Sequence, residues 1–372
     1  MPALRPFSLW LLAALFALPA CDSGGEVDGP DDIDYRTLFA APTAEEVAAV
    51  EAEWAARENP ARNARIVAEG MQDSTGAVYV IEHTQTGADG GDVTHYGLVR
   101  IPGVGARVPR PVVVVHHDGD DGLSVSGFLA ALDLYPVLRD ETVQVAPVYR
   151  SETLTADAAG LSGTYTAGGE PSPWDYDVDD AIGLLNAALE LFPDAMDPAQ
   201  VGALGFGRGG NAALLHAVRD DRVDVVTDYF GPADFFNPAA RALATEAVAG
   251  NPDVLALPGV QHLADTVLDP LRDGSLSYAD ARLALVRRSP GLFAGRLPDT
   301  QVHHHRQDPV VPIQFSEAFG VLAQGAVDGA FDANVYTNAL PTGVGSYHDP
   351  AAMPASLRDT ERFFVLHLPE GE

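Results

Sequence analysis

Residues Val201–Ala217 read VGALGFGRGGNAALLHA. The first six are apolar or small and suit a buried strand. Gly205, Gly207, Gly209 and Gly210 crowd a turn, and from Asn211 the apolar residues recur at helical spacing. A strand that turns sharply into a helix is the unit of a parallel α/β sheet. It also commonly carries chemistry, because the turn lifts one residue above the sheet edge. Here that residue is Gly207, which has no side chain.

The flanking segments extend the pattern. PVVVVHHDGDDG (111–122) holds four consecutive valines, a strand apolar on both faces as in the interior of a parallel sheet. VQVAPVY (143–149), VDVVTDYF (223–230), TQVHHHRQ (300–307) and a segment near DANVYTNAL (332–340) read as further strands, with helices between them. AVYVIEHT (77–84) and HYGLVRIP (95–102), joined by a Gly/Asp-rich link, read as an antiparallel hairpin. A helix is expected over about 124–138, and residues 151–173 as a long surface loop. A helix over DVDDAIGLLNAALELF (177–192), a helical insertion over about 233–296, and helices over 314–326 and 353–368 complete the reading. The expected fold class is α/β, a mainly parallel central sheet flanked by helices, with a helical lid insertion.

The chain has 372 residues and a formal net charge of -31, from 53 acidic and 22 basic side chains. Such a surface repels phosphate backbones, so a nucleic-acid partner is not expected. Every basic residue is Arg, and without Lys neither a Schiff base nor a serine–lysine dyad is available. Nothing in the sequence asks for a cofactor.

The first residues, MPALRPFSLWLLAALFALPAC, place one Arg before an apolar run and then small residues, the layout of a secretory signal. Leu18-Pro19-Ala20-Cys21 resembles the lipobox of bacterial lipoproteins. The resemblance implies a signal peptide over 1–20, a lipidated Cys21 and anchorage in a bilayer at the periplasmic or cell-surface face of a bacterial envelope. An acidic tether is expected over 21–42. Thr43 is expected to cap a helical segment over 43–74, interrupted near Pro60, and the α/β domain to occupy 75–372.

The order of elements, and the motifs on them, resemble the α/β-hydrolase fold and in particular its dienelactone hydrolase and prolyl-oligopeptidase-like branch. Gly205-Phe206-Gly207-Arg208-Gly209 is similar to the nucleophile elbow G-x-S-x-G with glycine where the serine belongs. HHHRQDPVVP (303–312) is similar to the segment that carries the triad carboxylate, implying that role for Asp308. Gly345-Ser346-Tyr347-His348 lies after the last strand, where the triad histidine is implied at His348. The oxyanion donors implied are the backbone N–H of Arg208 and that of Asp118 or Gly119, where Asp118 interrupts the usual His-Gly-Gly. Negative charge in this acidic loop would oppose an oxyanion if it points inward. His117, Trp174 and Tyr176 are expected in the pocket wall.

Glycine offers no attacking atom, so an acyl-enzyme at position 207 is closed. The expectation is therefore a pseudo-hydrolase that binds a small ester, peptide or acyl-type ligand. The alternative is a working ester or peptide hydrolase that uses water activated by His348 and Asp308, or a nucleophile the sequence does not place. His303 and His305 could share one strand face toward a metal, but no third ligand is identifiable, and a pocket-wall role is preferred. A dinucleotide reading of the glycine turn is set aside, because the turn comes after several strands.

Overall fold

The computed structural model describes residues 33–60, 62–73, 76–87, 90–103 and 109–368. The expected signal peptide, Cys21 and most of the expected tether lie outside the described residues.

Twelve strands are present among them: β1 (Arg62–Asp73), β2 (Gly76–Thr86), β3 (Asp92–Ile101), β4 (Arg110–His116), β5 (Leu123–Ser124), β6 (Val143–Pro147), β7 (Thr153–Ala156), β8 (Gly163–Thr166), β9 (Met196–Phe206), β10 (Val223–Tyr229), β11 (Asp299–His305) and β12 (Phe331–Tyr336). Nine of them form one sheet in the order β1-β2-β3-β6-β4-β9-β10-β11-β12. The first four are joined by antiparallel pairs, and every pair from β6 to β12 is parallel. The four valines of β4 show why the sheet is covered on both faces. Val112 and Val114 join the core formed with the helices Tyr176–Leu191 and Arg208–Arg219, whereas Val113 and Val115 join Phe128 and Phe364 on the other face. Each such burial contributes about 1.5–3 kcal/mol.

Four expectations are corrected. The end of the expected tether, 33–42, is packed rather than free: Tyr35–Leu38 is a short helix capped by Asp34, with Leu38 fully buried. Thr43 caps the helix Ala44–Ala55 through a capping box with Glu46, but the expected helix does not resume after Pro60. Arg62–Asp73 is instead β1, an edge strand paired with β2 and tied across the strands by Arg65–Glu82 and Arg62–Asp92 ion pairs. Pairing to a hairpin already present overrides a weak helical pattern. The expected loop 151–173 contains β7 and β8, which join β5 in a small second sheet. The helix expected over 124–138 is two, Val125–Leu132 and Pro136–Glu141, broken just before Pro136.

The insertion between β10 and β11 is helical, including Pro238–Val248 and Tyr278–Val286. The carboxyl ends of β4, β9, β10 and β11 all face the loops that carry the residues singled out by the sequence.

Candidate active site

Gly207 links β9 to the helix Arg208–Arg219 with φ 51 and ψ -118. That backbone is strained for any residue with a side chain and easy for glycine. Its N–H donates to Tyr229 O at 2.9 Å, which locks the turn against β10. Gly209 is required for closeness: a Cβ there would lie 2.3 Å from the carbonyl oxygens of His116 and His117.

The space above Gly207 is filled. A Cβ added at this position would lie 2.0 Å from Asp118 Oδ1 and 2.4 Å from its Cγ. Asp118 follows β4, and its carboxylate reaches across to the turn. Oδ1 accepts the backbone N–H of Arg208 at 2.9 Å, and Oδ2 lies 2.9 Å from His348 Nε2. His348 Nδ1 lies 2.7 Å from Asp308 Oδ2. Asp308 is fixed in turn, since its Oδ1 accepts the N–H groups of Val310 and Val311 at 2.7 and 3.0 Å. One imidazole thus sits between two carboxylates, with its ring 4.2 Å from that of Phe230. Burial alone would lower the His348 pKa. The hydrogen bonds and charges of Asp118 and Asp308 overcome it and raise the pKa to about 9, so the ring is cationic at neutral pH. Asp118 shows the reciprocal balance, in which His348 outweighs burial and holds its pKa below the usual value.

A second charged cluster lies beside the first. The Arg208 guanidinium, almost fully buried, bonds Asp120 Oδ1 at 2.7 Å, Glu152 Oε1 at 2.6 Å, Asp177 Oδ2 at 2.5 Å and Gly119 O at 3.2 Å. It lies over the Tyr149 ring at 4.6 Å. Burial, only partly offset by Arg208, pushes both Glu152 and Asp177 up to about 7. Asp120 also reaches the lid, where its Oδ2 accepts Gly259 N–H at 2.8 Å. Trp174 packs beneath Gly259 and donates from Nε1 to Arg208 O at 3.0 Å.

Above Asp118 is an apolar cavity of about 50 Å³, with Trp174, Phe235, Leu257, Val260, Val310 and Phe315 in its wall. A larger cleft of about 520 Å³ shares no residue with it. In its wall Arg222 pairs with Asp220, and Arg57 turns to Asp175 and Asp179 outside the lining.

The left-handed turn after β9 and the histidine–aspartate pair from the loops after β11 and β12 sit at the carboxyl end of a parallel sheet, and the fold that carries them has solved counterparts. An acetyl xylan esterase from Paenibacillus sp. R4 superposes with a TM-score of 0.55 at 17% identity, covering 91% of this chain and 100% of that one. Acetyl Xylan Esterase 1 from Thermoanaerobacterium sp. JW/SL YS485 gives 0.54 at 16%, over 88% and 99%. The chain has the α/β-hydrolase fold. Pyrococcus horikoshii acylaminoacyl peptidase gives 0.51 at 14%, over 82% of this chain and 50% of that one. At these identities the likeness is one of fold. No protein-family profile matches the chain, and no curated protein does.

Within this α/β-hydrolase frame the structure brings Gly207, Arg208, Asp118, Asp308 and His348 together. Two expected pocket residues are elsewhere. His117 is buried away from the cavity wall, its ring 4.3 Å from Tyr149 and its Nε2 3.3 Å from Glu152 Oε2, and burial lowers its pKa to about 4. Tyr176 is stacked between Arg57 and Arg150, at 4.3 and 4.4 Å. Trp174 does line the cavity. The N–H of Asp118 or Gly119 was expected to serve an oxyanion, whereas the Asp118 carboxylate accepts the Arg208 N–H, the other expected donor. Gly119 offers its carbonyl to Arg208, and its N–H favours the charged form of Asp118.

The three strand histidines are also partnered. His303 meets Tyr336 and Thr360, His304 meets Ser316 and Val311 O, and His305 meets Asn338 O and the Gln307 N–H. Glu152 and Asp177, partners of the Arg208 guanidinium, had no sequence signal beyond an acidic residue near a strand or at a helix start.

Proposed function

We propose that this chain is an exported α/β-hydrolase-fold protein, anchored to a bacterial envelope through lipidated Cys21, that has lost serine-based acyl transfer and binds a small ester, peptide or acyl-type ligand. One observation carries the reading: the Asp118 carboxylate occupies the volume of the missing side chain. It has taken both functional contacts of that volume, the imidazole Nε2 and the Arg208 N–H. An acyl group entering this site meets an anion where a hydroxyl would attack and where an oxyanion would be stabilised. The apolar cavity beneath the lid suits a short apolar portion of such a ligand. The described residues contain no helix long and apolar enough to cross a membrane, so the anchoring proposal rests on the Cys21 segment.

The alternative, water activated by His348, is less well supported. Nε2, the nitrogen that would accept the proton, is engaged by Asp118, and the ring is already protonated at neutral pH.

Purified protein is expected to stay unlabelled by a fluorophosphonate probe and to leave short-chain p-nitrophenyl esters unhydrolysed, while ester analogues perturb the Trp174 fluorescence. Labelling of any serine would overturn the reading. Export and anchoring are tested separately: metabolic labelling with a radioactive fatty acid should mark the wild type and not Cys21→Ala.

A further inference from the structure

We propose that the cavity beneath the lid holds a short alkylammonium, whose ammonium donates to the Asp118 carboxylate while its alkyl chain lies among Trp174, Phe235 and Phe315. This rests on the binding reading and names the head group that the ligand presents.

The charge at the turn is negative and faces the cavity. Asp118, His348 and Asp308 are joined in a row by contacts of 2.9 and 2.7 Å. Two carboxylates flank one imidazole, so the row carries a net negative charge even with the ring protonated. Its members are not equally reachable. The Asp118 side chain is 31% exposed, against 8% for His348 and 0% for Asp308. An entering ligand therefore meets the anion and not the cation. Three donors reach that anion: the His348 ring, the Arg208 N–H and the Gly119 N–H. A carboxylate has about four acceptor sites, so one stays open. Among the described residues of the cavity wall the one cation is Arg208, and its guanidinium is engaged by Asp120, Glu152 and Asp177. The chain has no lysine, so no ammonium of its own can take the open site.

The rest of the wall selects what the ammonium is attached to. Trp174, Phe235, Leu257, Val260 and Phe315 offer apolar surface. A water molecule needs about 10–15 Å³ of such space, so the cavity of about 50 Å³ takes roughly four non-hydrogen atoms, a propyl or butyl chain. A second apolar cavity of about 50 Å³ shares Phe235, Leu243, Val260 and Phe315 with the first. An alkyl chain seated there excludes water from the ammonium–carboxylate contact and strengthens it. An alcohol head forfeits the charge, a carboxylate head is repelled, and a trimethylammonium head has no N–H for the open acceptor site.

The test is calorimetric titration at neutral pH in about 0.15 M salt, which screens the exposed carboxylates. n-Butylamine is expected to bind at one site, about tenfold or more tighter than 1-butanol, butyrate or butyltrimethylammonium. From ethylamine to n-butylamine the affinity should rise about fourfold per methylene. Asp118→Asn should lose the preference for the amine over 1-butanol, and Val260→Phe, which fills the cavity, should lose the dependence on chain length. Should Asp118→Asn fail to fold, the wild-type series and Val260→Phe decide the matter. Methylamine binding as tightly as n-butylamine would mark adventitious binding to the acidic surface and overturn the inference. So would 1-butanol or butyrate matching the amine, or n-butylamine binding unchanged in either variant. Fluorophosphonate inertness and the Trp174 response to ester analogues do not depend on the head group, so failure here leaves the binding reading standing.

Discussion

Asp118 Oδ1 lies 2.0 Å from the point where a side chain on Gly207 would begin. The two residues are therefore mutually exclusive as side-chain bearers. One carries a side chain into the site and the other must not, so the conformation of the Asp118 side chain depends on position 207 having none.

Gly207→Ala should destabilise by about 1–3 kcal/mol, from the strained φ and the forced displacement of Asp118. Part of that cost should vanish in an Asp118→Gly background. A double-mutant cycle by urea unfolding is expected to give a coupling of about 0.5–3 kcal/mol. Strict additivity would mean the two residues do not share the space.

His348 gives a pH signature. Its pKa is raised from 6.5 to about 9 in the folded protein, so the stabilisation is complete below pH 6.5 and is lost as pH rises through 9. The stability difference between wild type and His348→Gln should fall by about 3 kcal/mol over that window. A difference independent of pH between 6 and 10 would contradict the paired-carboxylate geometry.

Arg208→Met leaves Glu152 and Asp177 buried without their cation and should cost about 3–5 kcal/mol at pH 8. Both carboxyls already have pKa values raised to about 7, and losing Arg208 raises them further. The folded variant then binds protons that the unfolded chain does not, so its deficit should shrink as pH falls toward 5. Unfolding at the two pH values checks the sign.

Asp120 joins the Arg208 guanidinium to the lid backbone at Gly259. Asp120→Ala should speed hydrogen exchange at Gly259 and the adjoining turn while leaving β9 and β10 protected. Unchanged exchange at Gly259 would show that the lid is held by its apolar contacts alone.

The sheet and the elbow were legible because their signals are local. Four valines in a row, glycines spaced around a tight turn, and an Asp-Pro segment after a strand all sit within a few residues of sequence. Arg62–Asp73 was misread because its partner strand, not its own pattern, decides its state. The same reason hid the role of Asp118. The sequence shows a carboxylate after His116-His117 and, 89 residues later, a glycine at the centre of the turn. Only the meeting of the loops after β4, β9 and β12 shows that the first fills the space a side chain on the second would need. Glu152 and Asp177 escaped notice because they come from different elements and converge only on the Arg208 side chain.

The central claim is tested most directly by rebuilding the site. Asp118→Gly creates His-Gly-Gly, and Gly207→Ser places a hydroxyl on the turn. Fluorophosphonate labelling should be absent in the wild type, absent or weak in Gly207→Ser alone because Asp118 still fills the space, and strong at position 207 in the double variant. Labelling of the wild type, or labelling of Gly207→Ser equal to that of the double variant, would contradict the account.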